Sequence, residues 1–190
     1  MFRGIIIRTY PYGEADLVLR IISAEAGKLS IIAKHARSSK RRFSGGIDIF
    51  DCGEFETKTG RGSMPALDHF IPKDSFKEIR ENLDKLNVAS LVCECFDLLT
   101  HEGSDDTSEV FEMFFLTLEG ISKALDSREC LRAGFLGIAS LLKYSGYLST
   151  PNLPPPSANA LYKLLDQVEA VAEKRLLSRQ GLSMTIDMLK

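Results

Sequence analysis

Long apolar runs, paired cysteines and assembled catalytic motifs are all missing from this chain of 190 residues. No hydrophobic stretch approaches the roughly 18–20 residues that a membrane-spanning helix needs. The opening "MFRGIIIRTYPYGE" has three consecutive isoleucines before Arg8, too short a run for a signal peptide. The four cysteines, at 52, 93, 95 and 130, contain no C-x-x-C and no even framework. Structural zinc is therefore not expected, and a reducing cytoplasm is the natural compartment. Cys93 and Cys95 fall in a helical pattern, where two positions turn them about 200° apart. They cannot share a tetrahedral metal while that helix is intact. The histidines, His35, His69 and His101, stand apart from one another, and none adjoins a nucleophile motif. "GRGS" (60–63) lacks the Lys-Ser/Thr pair of a phosphate loop. Glu14 and Asp16 could hold Mg²⁺ or do acid–base work, but a solvated turn is the simpler account of them. The expectation is a protein that is not an enzyme and has no cofactor, no metal, no small-molecule substrate and no membrane.

What is present is ordinary globular composition, 44% hydrophobic and 26% charged, which excludes disorder over the whole chain. The charge is unevenly placed. Residues 1–80 hold 14 Lys/Arg and 10 Asp/Glu, and residues 81–190 hold 10 and 16. A net of +4 followed by −6 suggests two regions with different partners.

The first region alternates with period 2. Strands are predicted from near Phe2, over "LVLRII" (17–22), over "KLSIIAK" (28–34), within "IDIFDCGEFETKT" (47–59) with a bend allowed at Gly53, and over "SMPALDHFI" (63–71). Pro11, Gly13, Gly27 and "GRG" (60–62) mark turns. Five short strands with one long loop suggest a small closed barrel. Helical spacing takes over after Pro72. Asp74 or Ser75 is expected to cap a helix carrying Leu83, Leu86, Leu91, Cys95 and Leu99. Thr107 or Ser108 starts another, with Val110, Phe111, Phe114, Phe115 and Leu118 buried, and Ser127 caps a third that runs to Gly146. "STPNLPPPS" (149–157) reads as an extended linker, and a last helix from about Ser157 to Gln180 is stopped by Gly181. The chain thus reads as a barrel domain, 1–72, and an all-helical domain, 73–190.

The most informative segment is "KLSIIAKHARSSKRRFSGG" (28–46). It carries Lys28, Lys34, Arg37, Lys40, Arg41 and Arg42, with no acidic residue between Glu25 and Asp48. A flexible cationic loop suits phosphate backbones, and Phe43 could stack on an unpaired base. A solvated, self-repelling loop fits the charge equally well; the barrel context favours nucleic acid. Tyr10, Tyr12 and Phe55 are candidate stacking rings, although aromatic residues in strands more often fill the core.

The segment 5–56 resembles the N-terminal domain of the bacterial recombination mediator family RecO. The likeness rests on Tyr12, Gly13, Glu14 and Asp16, then Gly27 and Lys28, then Lys34, Ala36 and Arg37, in that order and spacing. "LRAGFLGIASLLKYSGYLSTPNL" (131–153) and "KRLLSRQGL" (174–182) are similar to the family's helical part more loosely. The resemblance implies an oligonucleotide-binding (OB) barrel followed by a helical domain. It implies binding to single- and double-stranded DNA and annealing of complementary strands. It also implies loading of recombinase, with RecR, on DNA coated by single-strand-binding protein, in the cytoplasm and associated with the nucleoid. The family's zinc-ribbon insert is expected to be missing, because no cysteine follows Cys130, and the helical domain is a trimmed version. The resemblance further implies that the helical domain takes the acidic, aromatic-ended tail of single-strand-binding protein. Arg128 and Arg132, four apart on one helix face, with Leu131 and Phe135 beside them, are the candidates. The competing account keeps Leu131 and Phe135 in the core. An adaptor whose barrel does not grip DNA, and an RNA-binding barrel, remain the alternatives.

Overall fold

Alternation writes the barrel. In the computed structural model, which describes residues 1–38, 47–59, 64–74, 76–103, 107–149 and 155–187, five strands form. They are β1 (Phe2–Tyr12), β2 (Asp16–Ser23), β3 (Gly27–Ala33), β4 (Cys52–Lys58) and β5 (Ala66–Asp74). They close in the order β1-β2-β3-β5-β4, all antiparallel except the β3–β5 contact. This is the strand order of an OB barrel. Every second residue of the ladder points inward, and Ile6, Leu19, Ile21, Ile31, Ala33, Phe55 and Leu67 fill the interior. The bend allowed at Gly53 is real: the β4–β5 register shifts there, and a Cβ would sit 2.3 Å from the Ile71 carbonyl oxygen. The residues before it differ from expectation. Ile47–Asp51 is not strand, because Phe50 turns at φ 71 to bring the chain back onto Ile6.

The helices are α1 (Lys77–Arg80), α2 (Leu83–Leu99), α3 (Thr107–Lys123), α4 (Ser127–Tyr144), α5 (Ala158–Ala172) and α6 (Arg179–Asp187). The molecule divides into two compact units, Met1–Ser75 with His101–Glu112, and Phe76–Thr100 with Met113–Lys190. In the first unit, contacts of His101–Glu112 with the barrel include the following. Arg3 lies 4.8 Å over the Phe111 ring, Arg3 Nη1 pairs with Glu112 at 3.4 Å, and the Lys28 and Glu102 backbones bridge.

In the second unit α2 is central and buried nearly all round, so both Cys93 and Cys95 are interior despite facing apart. Burial pushes the Cys130 thiol up to about 12, and in the barrel it pushes Cys52 up to about 11 against the pull of Arg3. These thiols are packing groups. Three cap expectations are corrected. Asp74 belongs to β5; it is Asn82 that caps α2, its Oδ1 accepting from Lys85 N at 3.1 Å. Asp126, not Ser127, caps α4, freeing the Ser127 hydroxyl to donate to Asp84. Ser157 does cap α5, but the last helix breaks at Glu173, φ 51, and resumes as α6. Gly181 does not stop it: it lies inside α6, where a Cβ would come within 2.9 Å of Asn87 Oδ1.

Candidate nucleic-acid interface

At one end of the barrel the β1–β2 turn meets the start of the basic loop. Gly13 takes φ 59, a left-handed conformation that glycine adopts without strain. Asp16, first residue of β2, accepts from the His35 backbone N–H at 2.7 Å, which holds His35 at φ 58 just past the end of β3. Arg37 then folds back onto the turn. Its backbone N–H donates to the Ala15 carbonyl at 2.9 Å, and Nη1 donates to the carbonyls of Gly13 and Glu14 at 3.5 and 3.3 Å. The Tyr-Gly-Glu-x-Asp segment is thereby explained as a latch. Glycine makes the turn, Asp16 pins the loop's entry, and Arg37 closes over the carbonyls. Asp16 Oδ1 is engaged in this bond, and Glu14 is exposed.

The sequence candidates separate accordingly. Lys34 is exposed at the mouth of the loop. Arg37 is exposed beside it but spends Nη1 on the turn. Lys28 lies half-buried at the far end of β3, where its backbone bridges Glu102, so it is not grouped with the other two. Lys40, Arg41, Arg42 and Phe43 lie outside the described residues. Phe55 is fully buried and stacked between Phe2 and Phe70, so it is a core ring. Tyr10 and Tyr12 are 39% and 58% exposed.

Sequence reasoning passed over Arg8 and Arg20. They sit directly opposite one another on β1 and β2, on the outer face, because their neighbours Thr9 and Leu19 form the inward pair. A bulge between Ile6 and Arg8 sets this register. The signal available was the alternation of "RTYPY" against "DLVLR", once the bulge is known.

On α4, Arg128 and Arg132 are exposed and Leu131 is half-buried. Phe135 is 1% exposed and belongs to the core, so it cannot line a notch on the folded surface. Among the described residues no three His, Cys, Asp or Glu side chains converge to hold a metal ion, and no helix is long and apolar enough to cross a membrane.

Comparison with known proteins bears on the same region. Residues 1–76 match the family model "Recombination protein O N terminal". The protein "DNA repair protein RecO" of Rubrobacter xylanophilus is 31% identical over 144 residues, covering 75% of this chain and 57% of that one. That of Alkaliphilus metalliredigens is 31% identical over 144 residues, 75% of this chain and 56% of the other. That of Bacillus cytotoxicus is 33% identical over 123 residues, 65% and 49%. The chain spans about half the length of the curated relatives it matches. Through its N-terminal OB barrel and these relatives, the chain belongs to the RecO family.

Proposed function

We propose that this chain is a DNA-binding mediator of recombinational repair that performs no catalysis of its own. In this reading it binds single- and double-stranded DNA, anneals complementary strands and, with RecR, helps place recombinase on DNA coated by single-strand-binding protein. The barrel, 1–72, is the DNA-binding domain, and 73–190 is the partner-binding domain. The observation that carries the reading is the latch. Asp16 and Arg37 root the cationic loop at one end of a closed barrel, with Lys34 exposed at its mouth. Arg128, Leu131 and Arg132 of α4 offer cations and an apolar shoulder for the acidic tail of single-strand-binding protein.

The cations of 34–42 would contact phosphates and read no bases. Replacing Lys40, Arg41 and Arg42 together with Ala should weaken binding to every DNA sequence alike. It should also lower the slope of log affinity against log salt by about 0.7 per lost contact on single strands and about 0.9 on duplex. A titration across salt concentrations checks this. Unchanged affinity and slope would leave the barrel without a DNA role and favour an adaptor.

A further inference from the structure

We propose that the break between α5 and α6 is a two-state hinge. The bent form lays α6 on α2 and masks Arg179. In the straight form α5 runs on to Gln180 and bares that arginine. The inference stands apart from the DNA-binding reading and rests on a conflict between local sequence and distant contacts.

Local signals favour the straight form. "AEKRLLSRQ" (172–180) contains neither glycine nor proline and is rich in strong helix formers. The buried stripe of α5, Leu161, Leu165 and Val168, continues at helical spacing through Ala172 to Leu176. Gly181 stands where a helix ending at Gln180 would take its stop. Yet α5 ends at Ala172, and Glu173 turns at φ 51, a left-handed conformation that strains a residue with a Cβ.

Distant side chains impose the bend. A continuous helix would bond the N–H groups of Leu176, Leu177 and Ser178 to the carbonyls of Ala172, Glu173 and Lys174. Carboxylates take them instead. Glu169 accepts from Leu176 N at 2.9 Å, and buried Glu94 of α2 accepts from Leu177 N at 3.1 Å and from Ser178 N at 2.8 Å. Further along α6, Thr185 Oγ1 donates to Asp84 at 2.9 Å. Straightening takes these donors from buried Glu94 and draws Leu182 and Thr185 out of the interior, so the bent form is the major one.

The switch acts on Arg179. In the bent form its Nη1 pairs with Glu169 and its Nη2 with Asp166, each at 2.7 Å, and the guanidinium lies 5.5 Å from the centre of the Tyr162 ring. Tyr162, Glu169, Arg175, Leu176, Arg179 and Gln180 line one cavity there. Glu169 and Asp166 precede Arg179 by 10 and 13 residues. Along a straight helix that is about 15 and 20 Å, beyond the reach of an ion pair. Straightening therefore dismantles the cavity and releases the guanidinium from both carboxylates.

The native cysteines, Cys52, Cys93, Cys95 and Cys130, are buried, so spin labels go selectively to the exposed pair Lys163→Cys/Gln180→Cys. The labels are close in the bent form, where Gln180 and Tyr162 share a cavity, and about 26 Å apart along a straight helix. Pulsed electron resonance reads the distance distribution in labelled protein carrying Glu173→Gly, Glu173→Ala or Glu94→Met. Glycine relieves the left-handed turn and disfavours helix, whereas alanine keeps the strain and favours helix. The long-distance component should thus be at least about tenfold larger with alanine than with glycine. Glu94→Met removes the acceptor and the buried charge together and should enlarge that component as well; Glu94→Gln takes its place should the methionine variant not fold. A long-distance component missing from every variant, or equal in the glycine and alanine variants, overturns the hinge.

Discussion

Both units bury polar side chains, and they satisfy them over very different spans of sequence. In the barrel, buried Ser23 accepts from the N–H groups of Glu25 and Ala26, and buried Asp51 accepts from Asp48 N. These are turn bonds closed within three residues. In the helical unit, buried Glu94 of α2 accepts from Leu177 N and Ser178 N, 83 and 84 positions away. Asp84 accepts from Ser127 Oγ and from Thr185 Oγ1, the latter 101 positions away. The barrel's polar groups shape its own turns around a hydrocarbon interior. Those of α2 fasten distant helices, and α6 above all. Polar latches of this kind give position and specificity, and they make the unit vulnerable at single residues.

The sharpest way to break that contrast is Glu94→Ala. It strips two backbone donors and the Ser178 hydroxyl of their acceptor at the start of α6. Hydrogen bonds to a charged group are worth ~1.5–3 kcal/mol each, so losing three of them should cost about 4.5 kcal/mol or more. Urea unfolding measures the loss, and amide exchange should show faster opening over 176–187 than in the barrel strands. Glu94→Gln, which keeps one acceptor oxygen, should lose less. Uniform acceleration of exchange across the chain would show that α6 is not separately latched.

The same contrast explains what was legible beforehand. Most strand positions, the Gly53 bend and the buried face of α3 follow from periodicity, a property of neighbours; the structure agrees at Val110, Phe111, Phe114 and Leu118, but not over Ile47–Asp51, which is not strand, nor at Pro11, which lies in β1 rather than in a turn. The caps were legible only where one candidate stood alone, as Ser157 does before α5. Where two suitable residues compete, distant contacts decide. Asp84 claims the Ser127 hydroxyl, and the cap falls to Asp126. Gly181 looks like a stop signal, yet its missing side chain serves the approach of Asn87. Glu169 receives Leu176 N and Arg179 Nη1 at the break between α5 and α6, a folding-back that no local pattern announces. In the candidate interface the basic loop was legible as charge, and its anchoring was not. Asp16 and His35 are 19 residues apart and meet only because β2 and β3 pair through Leu17 and Ala33.

Backbone proximity supplies the next test, now in the barrel. Gly53 lets β4 lie so close to β5 that a Cβ would meet Ile71 O at 2.3 Å and Phe70 Cε2 at 2.8 Å. The first neighbour is backbone and cannot swing aside. Gly53→Ala should therefore cost about 2 kcal/mol, in the range for overpacking, read as a lowered denaturation midpoint. Gly181→Ala is the matching test in the helices. There the obstacle is the movable Asn87 amide, and alanine gains up to about 1 kcal/mol of helix propensity, so a near-neutral result is expected. If the two substitutions cost the same, the barrel's close approach is no more rigid than the helical one.

The last test falls on the latch, where fold and proposed function meet. Asp16→Ala removes the acceptor for His35 N, an exposed bond worth about 1 kcal/mol, and so frees the entry of the basic loop. It also removes a negative charge from ground where phosphates would lie. The two consequences push DNA affinity in opposite directions: a freed loop costs more entropy to order on binding, and a deleted carboxylate repels less. Asp16→Asn separates them. It keeps Oδ1 in place to accept from His35 N and removes only the charge. The asparagine variant should melt with the parent protein and bind DNA as tightly or more tightly. The alanine variant should melt lower and bind less tightly than the asparagine one. Thermal melting and one DNA titration of each variant suffice. Should the two variants melt alike and bind alike, Asp16 acts by its charge alone, and the β1–β2 turn does not hold the loop.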